Sequence, residues 1–322
     1  MASSSEKINY NLRPAKSIER KMISEIFQKL SPFGAINHYR YIGFGSFYFN
    51  DFARFHKTLG IKNMISIERD IPNEERFKFN KPYNCIQIVF GESNDVLPQL
   101  SWDTKSIVWL DYDSSLDQSV LTDITFICAN VMPGSMILVS VNVHPEAYMT
   151  GNVEDLYEYR YKKFSERVGE INIPLGVTGK DLSGWDFSNV CQRVIKNTIG
   201  KAISDRNGPR DEESQLEFKQ LIHFQYQDGA KMLTYGGMVV ERSQKAIFSS
   251  CDFGGLAFVC SDDQEPCKIE IPNLTFKEIR YLNAQLPLKG KDVLKGSAIP
   301  EVDLTKYESV YRYFPSFAEA DI

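Results

Sequence analysis

No stretch of this sequence is apolar for long enough to span a bilayer, so a soluble protein is expected. Paired cysteines are missing as well. Of six cysteines, Cys251, Cys260 and Cys267 are the closest set, but they lack short paired spacing and a neighbouring histidine. That argues against a zinc site and leaves thiols, buried or incidental. There is no surplus of positive charge. A net charge of −5 and a pI near 5.6 disfavour nucleic acid as the partner, because a phosphate backbone calls for a basic surface. The opening Met1-Ala2-Ser3-Ser4-Ser5-Glu6 carries no apolar core of the secretory type, so a cytoplasmic location is expected. Neither an internal repeat nor a low-complexity linker divides the chain, which favours one sheet domain with additions over independent domains. With 43% hydrophobic and 25% charged residues, the composition suits an ordinary packed core.

Five short hydrophobic runs fill the first half. They are Tyr39-Arg40-Tyr41-Ile42, Met64 to Glu68, Ile86 to Phe90, Ser106 to Leu110 and Met136 to Val143. β-branched and nearly continuous, they alternate with stretches of helical spacing such as Phe52, Phe55, His56 and Leu59, closed by Gly60. This is the pattern of a parallel sheet covered on both faces. A helix from Pro14 to about Leu30 precedes them, with Ile18, Met22, Ile26, Phe27 and Leu30 on one face. Arg13 and Lys16, at its entry, read as solvated charges rather than ligand contacts. His56, on the apolar stripe of the second helix, reads as a packing histidine rather than a catalytic one.

In such a sheet, ligands bind outside the carboxyl ends of the strands. The residues there are consistently polar: Gly43-Phe44-Gly45-Ser46 after the first run, Glu68-Arg69-Asp70 after the second, Gly91-Glu92-Ser93-Asn94-Asp95 after the third, Asp111-Tyr112-Asp113 after the fourth, and Asn142-Val143-His144-Pro145-Glu146 after the fifth. A glycine turn lets a ligand approach the backbone, and an acid closing the next strand can accept hydrogen bonds from a ribose. The ordered set, with Pro133-Gly134 before the fifth run, resembles class I S-adenosylmethionine-dependent methyltransferases, and the chain is similar to O-methyltransferases of that group. The resemblance covers about residues 39–146.

It implies that Gly43, Gly45 and Ser46 border the methionine part of S-adenosylmethionine, that Glu68 holds the ribose, that Glu92, Ser93 and Asn94 flank the adenine, and that Asp111 stands near the sulfonium and the acceptor. Two places depart from the family pattern: Tyr41 stands where an acid commonly precedes the first glycine, and Phe47 where a third glycine follows. A silent cofactor-binding or scaffold protein is therefore an alternative. A nicotinamide enzyme ranks lower, because Tyr48 breaks the dinucleotide fingerprint.

Methyl transfer needs an aligned acceptor that loses a proton out of contact with water. His144 is the candidate base and Asp111 the second catalytic candidate. Asp111 and Asp113 as ligands of a divalent metal are an alternative, lacking an assignable third ligand. No Asn-Pro-Pro-Tyr follows the fourth run, which tilts the unidentified acceptor toward oxygen.

The expected fold is α/β: a Rossmann-like, doubly wound, mostly parallel sheet with an antiparallel C-terminal hairpin, a helical insertion and a C-terminal extension. Its parts divide as tail and helix over 1–36, cofactor-binding core over 37–150, helical insertion or lid over 151–216, hairpin over 217–262 and extension over 263–322. Asp228-Gly229 between alternating runs marks the hairpin. Thr275-Phe276-Lys277-Glu278 starts a helix to about Leu286. The aromatic cluster Tyr307, Tyr311, Tyr313, Phe314 and Phe317 either docks back on the domain or forms a homodimer or partner surface.

Overall fold

The computed structural model describes residues 13–147, 153–262, 264–290 and 292–315. Phe317 of the aromatic cluster and the N-terminal tail to residue 12 lie outside the described residues. An eight-stranded sheet runs in the order β3-β2-β1-β4-β5-β7-β6-β8. Its strands are β1 (Arg40–Gly43), β2 (Asn63–Glu68), β3 (Ile86–Phe90), β4 (Ser106–Ser115), β5 (Ser135–Asn142), β6 (Leu216–Asp228), β7 (Ala230–Glu241) and β8 (Cys267–Ile269). The first five pair in parallel, and β7 alone runs antiparallel to both neighbours. The hairpin turns at Gly229, whose φ of 99° lies in the region that glycine tolerates best. It is not the outer edge, because β8 adds in parallel to β6.

Alternation along each strand feeds a separate core on either face. Tyr41, Trp109, Leu138, Phe224 and Met232 pack with α1 (Pro14–Gln28) and α2 (Asn50–Leu59). Ile42, Val108, Leu110, Val139 and Leu233 pack with α5 (Gln118–Asn130), α6 (Val153–Val168) and α7 (Asp186–Asn207). Between α2 and α5 in the chain come α3 (Glu74–Asn80) and the single turn α4 (Ser93–Val96). On α6, Phe164 and Val168 are buried, with Phe164 edge-on to Phe187 of α7, so this aromatic stripe is core packing.

Beyond β7 follow α8 (Lys245–Ser250), α9 (Phe276–Asn283) and α10 (Glu301–Val310). Thr275 and Glu278 close the expected capping box, and α9 ends at Asn283 rather than Leu286. Of the C-terminal aromatics, Tyr307 and Tyr313 are buried. The Tyr313 ring packs on Phe258 and its hydroxyl donates to Glu25 of α1 at 2.7 Å, so this part docks back on the sheet domain.

Two elements differ from the sequence reading. β4 runs on through Asp111, Tyr112 and Asp113, although both aspartates are poor strand formers, because its far end is still paired with β5 through Ser115 and Asn142. At the start of α1, Lys16 has no solvent exposure and Arg13 is 9% exposed. The solvated reading of these two charges is therefore wrong. The buried stripe of α1 runs Lys16, Glu19, Ile23, Phe27 and Leu30, so its first turns carry charge into the interior.

Candidate active site

The carboxyl ends of β1 to β4 open into one cleft. Gly45 and Ser46 after β1, Glu68 and Asp70 after β2, Gly91, Glu92 and Ser93 after β3, and Asp111, Tyr112 and Asp113 on β4 all line it. Two helices add Arg20, Asn50 and Asp51.

At the β1 turn the backbone is tight. A Cβ at Gly45 would lie 2.5 Å from the Phe49 ring and 2.7 Å from Ser66 Oγ, and one at Gly43 would lie 2.8 Å from the Tyr41 hydroxyl. Both glycines are thus demanded first by the protein's own packing. Gly43 does not line the cleft, whereas Gly45 does. The next residues curl further, with Ser46 at φ 50° and Phe49 at φ 47°, left-handed conformations that are uncommon outside glycine. Phe47, in place of a third glycine, is buried against Phe77 of α3 with the Arg76 guanidinium over its ring.

Glu68 closes β2 beside this turn. Its Oε1 accepts from the Gly45 amide at 2.7 Å and from Ser66 Oγ at 2.6 Å. Burial pushes its carboxyl up to about 7, against the pull of the Ser66 hydroxyl and the Gly45 and Ser46 amides. After β3, Gly91 sits at φ 152° and its amide donates to the Glu68 carbonyl at 3.0 Å. Ser93, Asn94 and Tyr112 all bond the buried Asp123 of α5, Tyr112 at 2.5 Å. That carboxylate fixes the turn from below, and the Asn94 side chain is spent on it and on the Ser119 carbonyl rather than on the cleft. Phe44 and Tyr112 meet edge to face at 5.1 Å, forming with Ile67 and Val120 an apolar wall.

Under the opposite wall lies a charged network that sequence reasoning missed. Lys16 Nζ lies 2.6 Å from Asp111 Oδ1 and 2.8 Å from Glu19 Oε2, donates to the Tyr226 hydroxyl at 3.1 Å, and sits 4.5 Å above the Trp109 ring. Glu19 also accepts from Thr234. Burial alone would raise the Asp111 pKa, yet Lys16, Arg20 and Arg13 hold it below its ordinary value. Burial holds Glu19 above its own. Lys16 thus bridges two carboxylates that are shifted in opposite directions. Next to this pair, Arg20 Nε donates to Asp51 Oδ1. The legible signal was spacing: Lys16, Glu19 and Arg20 continue the stripe of Ile23, Phe27 and Leu30 backwards by three and four residues.

His144 is exposed at the end of β5 and is not among the lining residues. His56 donates through Nδ1 to the Ile61 carbonyl at 2.9 Å and packs on Tyr83, a structural role. Helices α6 and α7 contribute nothing to the cleft lining.

The sequence profile of the family described as "Putative O-methyltransferase" matches residues 8–322. The chain belongs to this family. Its mostly parallel sheet with helices on both faces is the Rossmann-like α/β fold expected, and S-adenosylmethionine is the cofactor that a methyltransferase family implies. No curated protein matches the sequence.

Among solved structures, the chain is similar to Trm1 from Pyrococcus horikoshii with S-adenosyl-L-methionine, at 10% identity and a TM-score of 0.47, over 76% of this chain and 60% of that one. It is also similar to LepI with its S-adenosylmethionine, at 12% identity and a TM-score of 0.36, over 66% of this chain and 46% of that one. Streptomyces venezuelae DesVI matches at 12% identity and a TM-score of 0.32, over 44% of this chain and 57% of that one. The chain thus spans less than two thirds of each, and the family match alone carries the assignment. Among the described residues, no helix is long and apolar enough to cross a membrane.

Proposed function

We propose that this chain transfers the methyl group of S-adenosylmethionine to an oxygen acceptor at the open end of the β1 to β4 cleft. The observation that carries the reading is Glu68, a buried acid at the end of β2 that grips the glycine turn while lining the cleft. The residues present fit the cofactor. Glu68 suits a ribose, the wall of Phe44, Tyr112, Ile67 and Val120 suits a flat base, and the polar end around Gly45, Ser46, Asp51 and Asp111 suits the methionine part. When bound, the cofactor supplies an electrophilic methyl on a sulfonium.

The chain's own work is positional and electrostatic. Asp111, kept ionised by Lys16, presents a fixed negative charge to a cationic group without taking up a proton. Asp113, two residues along β4 and also in the lining, is the carboxylate placed to accept a hydrogen bond from an acceptor hydroxyl. This geometry favours Asp113 over His144 as the proton-handling group. No Asn-Pro-Pro-Tyr stands at this place, in keeping with oxygen as acceptor.

Calorimetry with S-adenosylmethionine and transfer of labelled methyl groups into a cell extract test the proposal. Asp113→Asn is expected to keep cofactor binding and lose transfer about 10²-fold or more. Wild-type protein that binds the cofactor no better than Glu68→Ala would overturn the assignment, and binding without any labelled acceptor would support the silent alternative.

A further inference from the structure

One ammonium serves two carboxylates beneath the cleft. Lys16 Nζ lies 2.6 Å from Asp111 Oδ1 and 2.8 Å from Glu19 Oε2, and the side chains of Lys16 and Glu19 have no solvent exposure. With the Tyr226 hydroxyl at 3.1 Å as the third partner, every N–H of the ammonium is engaged. The other cations nearby have acids of their own. Arg20 donates to Asp51, and Arg13 stands in the field of Asp113 and Asp228 as well as Asp111. With both of its carboxylates ionised, the Lys16 cluster carries one negative charge in excess, and Asp111 is the member of it that lines the cleft.

A chain of donors ends on Glu19 and favours its ionised form. The Trp109 Nε1–H can only donate, and it does so to Ser140 Oγ at 2.9 Å. The Ser140 hydrogen is then left for Thr234 Oγ1 at 2.7 Å, and the Thr234 hydrogen for Glu19 Oε1. Hydrogen bonds from β4, β5 and β7 thus run in one direction and end on a carboxylate, an order in which each strengthens the next. The Trp109 ring closes the circuit, because it lies 4.5 Å from Lys16 Nζ. Burial opposes the charge on Glu19, while Lys16 and Thr234 support it.

We infer that Glu19 is a specificity-determining residue which, through Lys16 and Asp111, gives the floor of the cleft its net negative charge and so favours the sulfonium cofactor over the thioether that the reaction leaves. This rests on the methyltransferase reading above and extends it to the release of product. Loss of the methyl group converts a cationic sulfur into a neutral one, so the charge under Asp111 attracts the ligand before transfer and loses its hold afterwards. Glu19 is not among the cleft lining and acts as a positioning residue, its effect carried by the field and by the aim of Lys16.

Calorimetry on the full chain with S-adenosylmethionine and S-adenosylhomocysteine tests this. The two ligands differ at the sulfur, so the ratio of their affinities cancels whatever a variant does to both. Wild-type protein is expected to bind the sulfonium about threefold or more tightly than the thioether. Glu19→Gln keeps the shape, removes the charge, and is expected to lower that ratio about threefold or more. Thr234→Val takes only the donor from Glu19 and is expected to lower the ratio in the same direction by less.

A wild-type ratio near or below one, or a ratio that Glu19→Gln leaves unmoved while both ligands weaken, overturns the role of Glu19 and leaves the cofactor assignment standing. Should Glu19→Gln not fold, the wild-type ratio and its fall in Thr234→Val decide in its place, and an unmoved ratio there overturns the role. Wild-type protein that binds neither ligand overturns the cofactor assignment, and the role of Glu19 falls with it.

Discussion

Two side chains concentrate the consequences of burial. Glu68 titrates at about 7 in the folded chain against an ordinary 4.5, with burial as the main cause. The folded state therefore holds its proton more firmly than the unfolded one. The stability this gives is full below about pH 4.5 and is lost as pH rises through 7. Urea midpoints measured across that range are expected to show a falling component that Glu68→Gln abolishes. An unchanged slope in the variant would place the titration elsewhere. A ribose hydroxyl donating to Glu68 favours its ionised form, so cofactor binding is expected to release a proton near neutrality, read as a buffer-dependent enthalpy. Lys16 is the second. Lys16→Met takes the nearest counter-charge from the buried Glu19 and the partly buried Asp111, and a loss of about 3–5 kcal/mol is expected in denaturant unfolding. A loss within about 1 kcal/mol would show that the pair contributes little. Glu68 was legible in the sequence because its place, the last residue of an apolar run, has a chemical meaning of its own. Asp51 was not, and Lys16 and Arg20 left only their spacing as a signal, because a charge near a helix start is ordinarily solvated and only the sheet packed over it shows otherwise.

Among the elements, the β1 turn is the least forgiving. Gly45→Ala would drive its Cβ into the Phe49 ring and Ser66 Oγ, and a cost of about 1–3 kcal/mol is expected in thermal unfolding, with weakened cofactor binding. A variant as stable as wild type would mean the turn can relax. The start of α1 depends on a distant hairpin, since the Ala15 and Lys16 amides donate to the two Asp228 carboxylate oxygens at 3.1 and 2.9 Å. Asp228→Ala is expected to cost about 1 kcal/mol, measured the same way. Strands and hairpin were readable because apolar runs and an Asp-Gly turn are local signals. The length of β4 was not readable, because Asp111 to Ser115 are held in the strand by β5 and not by their own preference.

At the scale of the molecule, the core is unevenly divided. Two large clusters clothe the sheet, while Leu282, Leu294, Ile299 and Tyr307 form a small separate one around α9 and α10. Hydrogen exchange is expected to show residues 274–311 opening at lower free energy than β4 and β5. Equal protection would make the chain one cooperative unit. The partners of α1 lie far along the chain, Asp111 95 positions beyond Lys16 and Asp228 213 positions beyond Ala15. During synthesis, then, the first helix emerges with an ammonium it cannot yet shelter and amides it cannot yet cap. It must wait for nearly the whole sheet to leave the ribosome before it settles, so the wall of the cleft that it supplies is completed last.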